Sequence, residues 1–158
     1  MPVLRSLLHR ALSAVRAVAR GGSPTGYAGD FTGTATVDYR PSADGAPDPG
    51  EIVWTWVPYE EDHGQGKDRP VLIVAKRRGL LLSLMLTSRD RVPGDGRGGD
   101  PDYVDIGAGR WDPLRRPSEV RLDRVLQIDP RTVRREGAIL DRARFDRVAE
   151  GLRRRGWR

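Results

Sequence analysis

The chain has 158 residues, 37% of them hydrophobic and 32% charged, with a formal net charge of +6 at pH 7. That length allows one domain with an appendage and is too short for two ordinary domains. Cysteine is absent, which excludes disulfides and cysteine-ligated zinc and suits a cytoplasmic protein, and no apolar run reaches the ~20 residues of a membrane-spanning helix.

Residues 3–20 predict an amphipathic helix. Leu4, Leu7, Leu8, Ala11, Leu12, Val15, Val18 and Ala19 recur at helical spacing, Arg5, His9, Arg10, Arg16 and Arg20 hold the other face, and Gly21-Gly22 ends it. The interspersed arginines argue against a secretory signal. Two readings stand: a helix that docks on a membrane surface or partner, and a helix that packs on its own domain. Residues 21–48, rich in Gly, Pro, Ser, Thr and Asp, predict a flexible linker with one edge strand near Phe31–Tyr39.

From residue 49 to 158 the pattern becomes that of a small domain. Ile52–Val57, β-branched and aromatic, predicts a first strand. Pro58–Asp68 predicts a loop, and Val71–Ala75 a strand buried on both faces. Arg77-Arg78-Gly79 predicts a tight turn, and Leu80–Leu86 a third strand. Residues 89–101 predict a surface loop, Tyr103–Ile106 a fourth strand, and residues 107–117 another loop. Glu119–Ile128 alternates with a change of phase that predicts a bulge. Pro130–Arg135 predicts a helical turn and Gly137–Leu140 a last strand. Asp141 is a good N-cap for a terminal helix whose apolar face is Phe145, Val148, Ala149 and Leu152. Several short strands and one C-terminal helix predict a mainly β fold, a small SH3-like barrel preceded by the N-terminal helix and linker.

Lys67 and Lys76 are the two lysines, so 28 − 2 = 26 basic residues are arginine. Arginine suits bidentate phosphate contacts and a basic surface suits nucleic acid or anionic membrane. Arginine-rich coding explains the same composition without a ligand. Within the domain, His63 stands in a glycine-flanked loop, where an imidazole can reach solvent and transfer protons; an ordinary loop histidine fits equally. Glu60, Glu61 and Asp62 are consecutive, which splays their carboxylates apart and argues against a metal site. Arg69 opens an otherwise apolar strand, so it needs an anion, from the protein or from a ligand. Thr87 and Ser88 end the third strand with hydroxyls that suit phosphate oxygens or strand-end hydrogen bonds. Arg121 and Asp123, two apart in a predicted strand, share a face; a surface ion pair and a catalytic pair both fit.

In order along the chain, Gly50-Glu51-Ile52-Val53-Trp54, Asp62-His63-Gly64-Gln65-Gly66, Arg69-Pro70-Val71-Leu72-Ile73, Thr87-Ser88 and the run Ser118–Asp129 resemble the PemK/MazF family of ribonuclease toxins. Gly64 stands where the family usually has a glutamate, and residues 1–48 have no counterpart in its compact members. The resemblance implies a PemK/MazF-type barrel and a metal-independent endoribonuclease that needs no cofactor. Such an enzyme cuts single-stranded RNA, mRNA included, by attack of the 2′-hydroxyl on the adjacent phosphate, leaving a 2′,3′-cyclic phosphate and a 5′-hydroxyl. One branch of the family uses a His, an Arg and an Asp that match His63, Arg121 and Asp123. The other uses the Arg of Arg-Pro and the Thr, matching Arg69 and Thr87. Gln65, Lys67, Ser88 and Arg89 then fall among the RNA contacts. The resemblance also implies a homodimer, growth inhibition relieved by a cognate antitoxin, and operator DNA contact through the toxin–antitoxin complex. The alternative is a non-catalytic module of the same fold that binds nucleic acid or an antitoxin-like peptide, and the helix over residues 3–20 adds membrane contact as a further reading.

Overall fold

The computed structural model describes residues 26–88 and 100–158. The expected N-terminal helix and Arg89 lie outside the described residues. The elements are β1 (Asp30–Phe31), β2 (Glu51–Pro58), β3 (Gly66–Arg77), β4 (Leu80–Ser88), β5 (Tyr103–Gly107), β6 (Ser118–Arg121), β7 (Val125–Ile128), a 3-10 turn (Pro130–Thr132), β8 (Arg135–Ile139) and α1 (Arg142–Arg153).

All pairings are antiparallel, in the order β1-β7-β4-β3-β2-β8, with β6 joining β4 to β5. The path is open, since β1 and β8 are not paired with each other. The long strand β4 turns the sheet. Its first half pairs with β7 (Leu81↔Ile128) and its last residues pair with β6 (Leu86↔Val120), so one strand belongs to two sheets. β3 and β4 are joined by a two-residue turn in which Arg78 (φ 51°) and Gly79 (φ 78°) both take left-handed backbone, the twist that suits a tight hairpin.

Alternation on these strands builds two apolar layers. On β3, Leu72 and Val74 join Ile52, Leu82, Leu84, Leu86, Val120 and the helix residues Phe145, Val148, Ala149 and Leu152 in one core. Val71 and Ile73 join Val53, Val57, Leu81, Leu126 and Ile128 in the other. β3 is thus buried on both faces, as its apolar run predicts. Asp141 caps α1 by accepting from the Arg144 backbone N–H, and Leu140 and Phe145 both lie in the first core. No described helix is long and apolar enough to cross a membrane.

Three expectations differ from the structure. β3 starts at Gly66, inside the predicted loop, because Gly66 pairs with Pro58 and a side chain at position 66 would run into the Trp56 ring. The predicted bulged strand Glu119–Ile128 is two strands in two different sheets, and the phase change marks the break at Leu122–Arg124. Residues 26–48, expected within a flexible linker, instead lie along the barrel. Phe31, Ala35, Val37 and Tyr39 pack on the first core, the Asp38 N–H donates to the Val74 carbonyl, and the Tyr39 hydroxyl donates to the Leu140 carbonyl. Their apolar residues are spaced for extended chain, and Gly and Pro between them mask the pattern.

Candidate nucleic-acid cleavage site

The loop between β2 and β3 organises the site. Within residues 59–63, the Tyr59 phenol acts electrostatically on Arg69, Glu60 pairs with Arg121, and His63 lies against Asp30. Residues from β1, β3, β6 and the β6–β7 link therefore meet around one short stretch of chain.

Arg121 ends β6. Its Nε donates to Asp123 Oδ1 at 2.5 Å and its Nη2 to Asp123 Oδ2 at 3.0 Å, while Glu60 Oε2 lies 3.0 Å from the same Nη2. The Arg121 side chain is 18% exposed and Glu60 54%. The hydrogen bonds with Asp123 raise the guanidinium pKa against the opposing effect of burial, and Glu60 raises it further. The same hydrogen bonds lower the Asp123 pKa, so Asp123 is an oriented carboxylate held ionised.

Arg69 is different. It is half-buried on β3, and among the described residues no carboxylate pairs with it. Burial lowers its pKa, and the charge of Arg124 lowers it further against the raising effect of Tyr59. A half-buried guanidinium that feels a second cation and has no carboxylate of its own among the described residues favours a nearby anion. Arg69 also lines a groove of about 260 Å³ with Trp54, Lys67, Ser88 and Ser118 and with two carboxylates, Asp68 and Asp112, that are paired with Arg134 and Arg116. Trp54 is fixed there by its Nε1–H, which donates to the Trp111 carbonyl at 2.8 Å. Thr87 stands in the chain between Leu86 and Ser88, which line this groove. Continuing the β3–β4 register two residues beyond Val71↔Met85 sets it opposite Arg69, and its buried Oγ1 has no hydrogen-bond partner among the described residues.

His63 Nε2 lies 3.9 Å from Asp30 Oδ1, and its ring meets the Tyr27 ring edge-on at 5.1 Å. Asp30 accepts from Arg124 Nε (2.9 Å) and Nη2 (3.2 Å) and from the Tyr27 hydroxyl (2.6 Å). Burial alone raises the Asp30 pKa; the hydrogen bonds from Arg124 and Tyr27 outweigh it and lower the net value. Burial and the same carboxylate push the Tyr27 phenol up, so Tyr27 stays a donor.

The predicted set thus divides. Arg121 and Asp123 form a pair, with Arg69 and His63 around the same loop. Lys67 and Ser88 are exposed on the groove, and Gln65 is exposed at the loop's end. Sequence reasoning missed Arg124, Asp30, Tyr27 and Glu60's role as a partner of Arg121. Arg124 carries a signal like that of Arg69, a cation just before an apolar run, here Val125–Ile128. Asp30 and Tyr27 carry no local signal. No cluster of three or more metal-ligating side chains occurs among the described residues.

The fold is a mainly β, open antiparallel sheet with one C-terminal helix, the architecture of MazF-like proteins. Residues 48–155 match the family described as the PemK-like, MazF-like toxin of type II toxin-antitoxin systems. The chain belongs to that family. Among solved structures, it is similar to the crystal structure of MazE-MazF (Form-II) from Deinococcus radiodurans. The identity is 25% and the TM-score 0.50, over 69% of this chain and 94% of that one. No curated protein matches the chain.

Proposed function

We propose that this protein is the toxin of a toxin–antitoxin pair and acts as a metal-independent endoribonuclease on single-stranded RNA. The observation that carries this reading is Arg69: a half-buried guanidinium without a carboxylate partner among the described residues, set in a groove with Lys67 and Ser88 whose two carboxylates, Asp68 and Asp112, are each engaged by another arginine. The scissile phosphate binds at Arg69, with the Thr87 and Ser88 hydroxyls on its oxygens. Arg69 and Arg121 stabilise the charge that builds at the pentavalent phosphorus. Both guanidiniums stay protonated at neutral pH, so neither donates the proton. Asp123, ionised and oriented by Arg121, takes the proton of the 2′-hydroxyl as oxygen attacks phosphorus. His63 protonates the departing 5′-oxygen. The products are a 2′,3′-cyclic phosphate and a 5′-hydroxyl.

Arg121 starts out engaged with two carboxylates, so a phosphate reaches it by displacing Glu60, the more exposed of them. An antitoxin segment rich in acidic residues would fill the same groove, as befits a chain similar to the MazF of a MazE-MazF structure. The proposal extends to a homodimer, as the resemblance to the family implies.

The test is purified protein with mixed-sequence RNA in EDTA and mapping of the new ends. Cyclic-phosphate and 5′-hydroxyl termini, lost in Arg69→Ala, Arg121→Ala and His63→Ala, are expected. No cleavage, or cleavage equal in all three variants, overturns the enzymatic reading in favour of a binding module of the same fold.

A further inference from the structure

The groups that hold His63 lie outside the family-matched stretch 48–155. Tyr27 and Asp30 belong to the segment before it, and neither has a role in the cleavage chemistry above. The 3.9 Å between Asp30 Oδ1 and His63 Nε2 is longer than a hydrogen bond, so the carboxylate acts on the imidazole by charge while Tyr27 fixes the ring by edge contact. Asp30 is itself immobilised by three hydrogen bonds, two of them from Arg124, whose side chain is only 4% exposed.

A carboxylate in this position is either a plug in the phosphate site or a fixed part of the site. A plug must leave, and the attachments of this segment oppose that. Asp30 and Phe31 pair with Leu126 and Val125 across β1 and β7. Gln127 Nε2 donates to the Gly29 carbonyl at 3.0 Å. The Phe31 ring packs 6.0 Å from the Trp157 ring. The Val37 N–H donates to the Arg158 carbonyl, and the Arg158 N–H donates to the Ala35 carbonyl. Undocking would break these together and expose apolar side chains.

We propose that Asp30 is a positioning residue of the site. With Tyr27 it fixes the His63 imidazole for proton transfer to the leaving oxygen, so the working unit begins upstream of the family-matched stretch. Asp30 faces Nε2, which leaves Nδ1 as the nitrogen offered to the substrate. His63 rides on an exposed loop flanked by Gly64 and Gly66, and such a loop does not by itself hold a ring within the reach that proton transfer requires. This inference rests on the endoribonuclease reading.

Two measurements on the full-length chain test it. The first is the rate of RNA cleavage in EDTA by wild type, Asp30→Asn and Asp30→Ala. Asp30→Asn keeps an acceptor for Arg124 and guards against loss by unfolding, which the thermal midpoint monitors. In both variants kcat should fall by about tenfold to a hundredfold, the scale of a reacting group displaced by an ångström, with KM within about twofold. A folded Asp30→Asn with unchanged or greater activity overturns the proposal, and greater activity identifies a plug instead. The second is the nuclear Overhauser contact between the His63 and Tyr27 rings, assigned with His63→Gln. It should be present in wild type and lost in folded Asp30→Ala; its persistence overturns the proposal whether or not RNA is cut. If wild type itself cleaves no RNA, the endoribonuclease reading fails separately, and the ring contact alone then decides whether Asp30 positions His63.

Discussion

Glu60 Oε2 lies 3.0 Å from Arg121 Nη2, so the guanidinium that grips Asp123 also carries a carboxylate from the β2–β3 loop. Glu60 competes there with any phosphate. Because it is more than half exposed, its hold on Arg121 is worth no more than about 1 kcal/mol. Glu60→Gln should therefore tighten binding of a non-cleavable 2′-O-methyl RNA by up to about fivefold, read by fluorescence anisotropy. The gain should shrink as salt rises. Weaker binding by Glu60→Gln would show that Glu60 organises Arg121 rather than screening it.

Arg69 separates activity from stability. Replacing it by Met removes a partly buried cation that has no carboxylate partner among the described residues, so the thermal midpoint should hold or rise. Cleavage should fall by about 10²- to 10³-fold, as for loss of one group that stabilises transition-state charge. Arg69→Lys should recover only part, because an ammonium lacks the planar fork that a phosphate accepts. A large fall in melting temperature for Arg69→Met would mean that Arg69 has a structural partner.

Arg124 and Asp30 should behave as a coupled pair in urea denaturation. Breaking a buried pair by removing one partner costs about 3–5 kcal/mol. Arg124→Met should cost less than this, since the Asp30 side chain is 28% exposed. The double variant Arg124→Met with Asp30→Asn should be more stable than Arg124→Met alone, because no charge is left stranded. Additive losses would refute the coupling.

Acid should expose five carboxylates whose pKa is lowered on folding, Asp30, Asp112, Asp123, Asp129 and Asp141. At Asp112 burial works upward, but the hydrogen bonds from Arg116 and the Leu114 backbone N–H prevail. At Asp123 the Arg121 hydrogen bonds lead, and at Asp30 those from Arg124 and Tyr27 overcome burial. A lowered carboxylate pKa contributes stability that is fully present above the unfolded value of 3.8 and is lost as pH falls through the folded value. The urea midpoint should accordingly change little through these groups between pH 7 and about 5, then fall below about pH 4. Asp112→Asn should flatten the acid limb; an unchanged limb would remove Asp112 from the account.

The strands β2, β3 and β4 and the helix α1 are legible because each carries its own period, as in Val71–Ala75 or Phe145, Val148 and Leu152. Arg121 and Asp123 are legible as neighbours for the same reason, being two apart in extended chain. The meeting of Asp30 with Arg124, 94 positions away, is not legible. It depends on a two-residue strand that pairs with β7, in a stretch whose Gly and Pro content predicts a linker. The split of Glu119–Ile128 between two sheets is likewise set by β4, which offers one edge to both β6 and β7. Local pattern fixes what each strand buries, whereas the partners of polar side chains depend on which strands the bends bring together.

Two of the four tryptophans, Trp54 and Trp157, supply optical reporters of two different features. Trp54 borders the groove beside Arg69, and its indole N–H is bound to the Trp111 carbonyl, so a polyanion entering the groove alters the field around that ring. Trp157 is buried under Phe31, where it senses whether the segment before β2 is seated. With Trp56 and Trp111 replaced by Phe, and Trp54 or Trp157 then replaced in turn, emission from the one remaining ring distinguishes occupancy of the groove from release of the segment, in one cuvette and without a label.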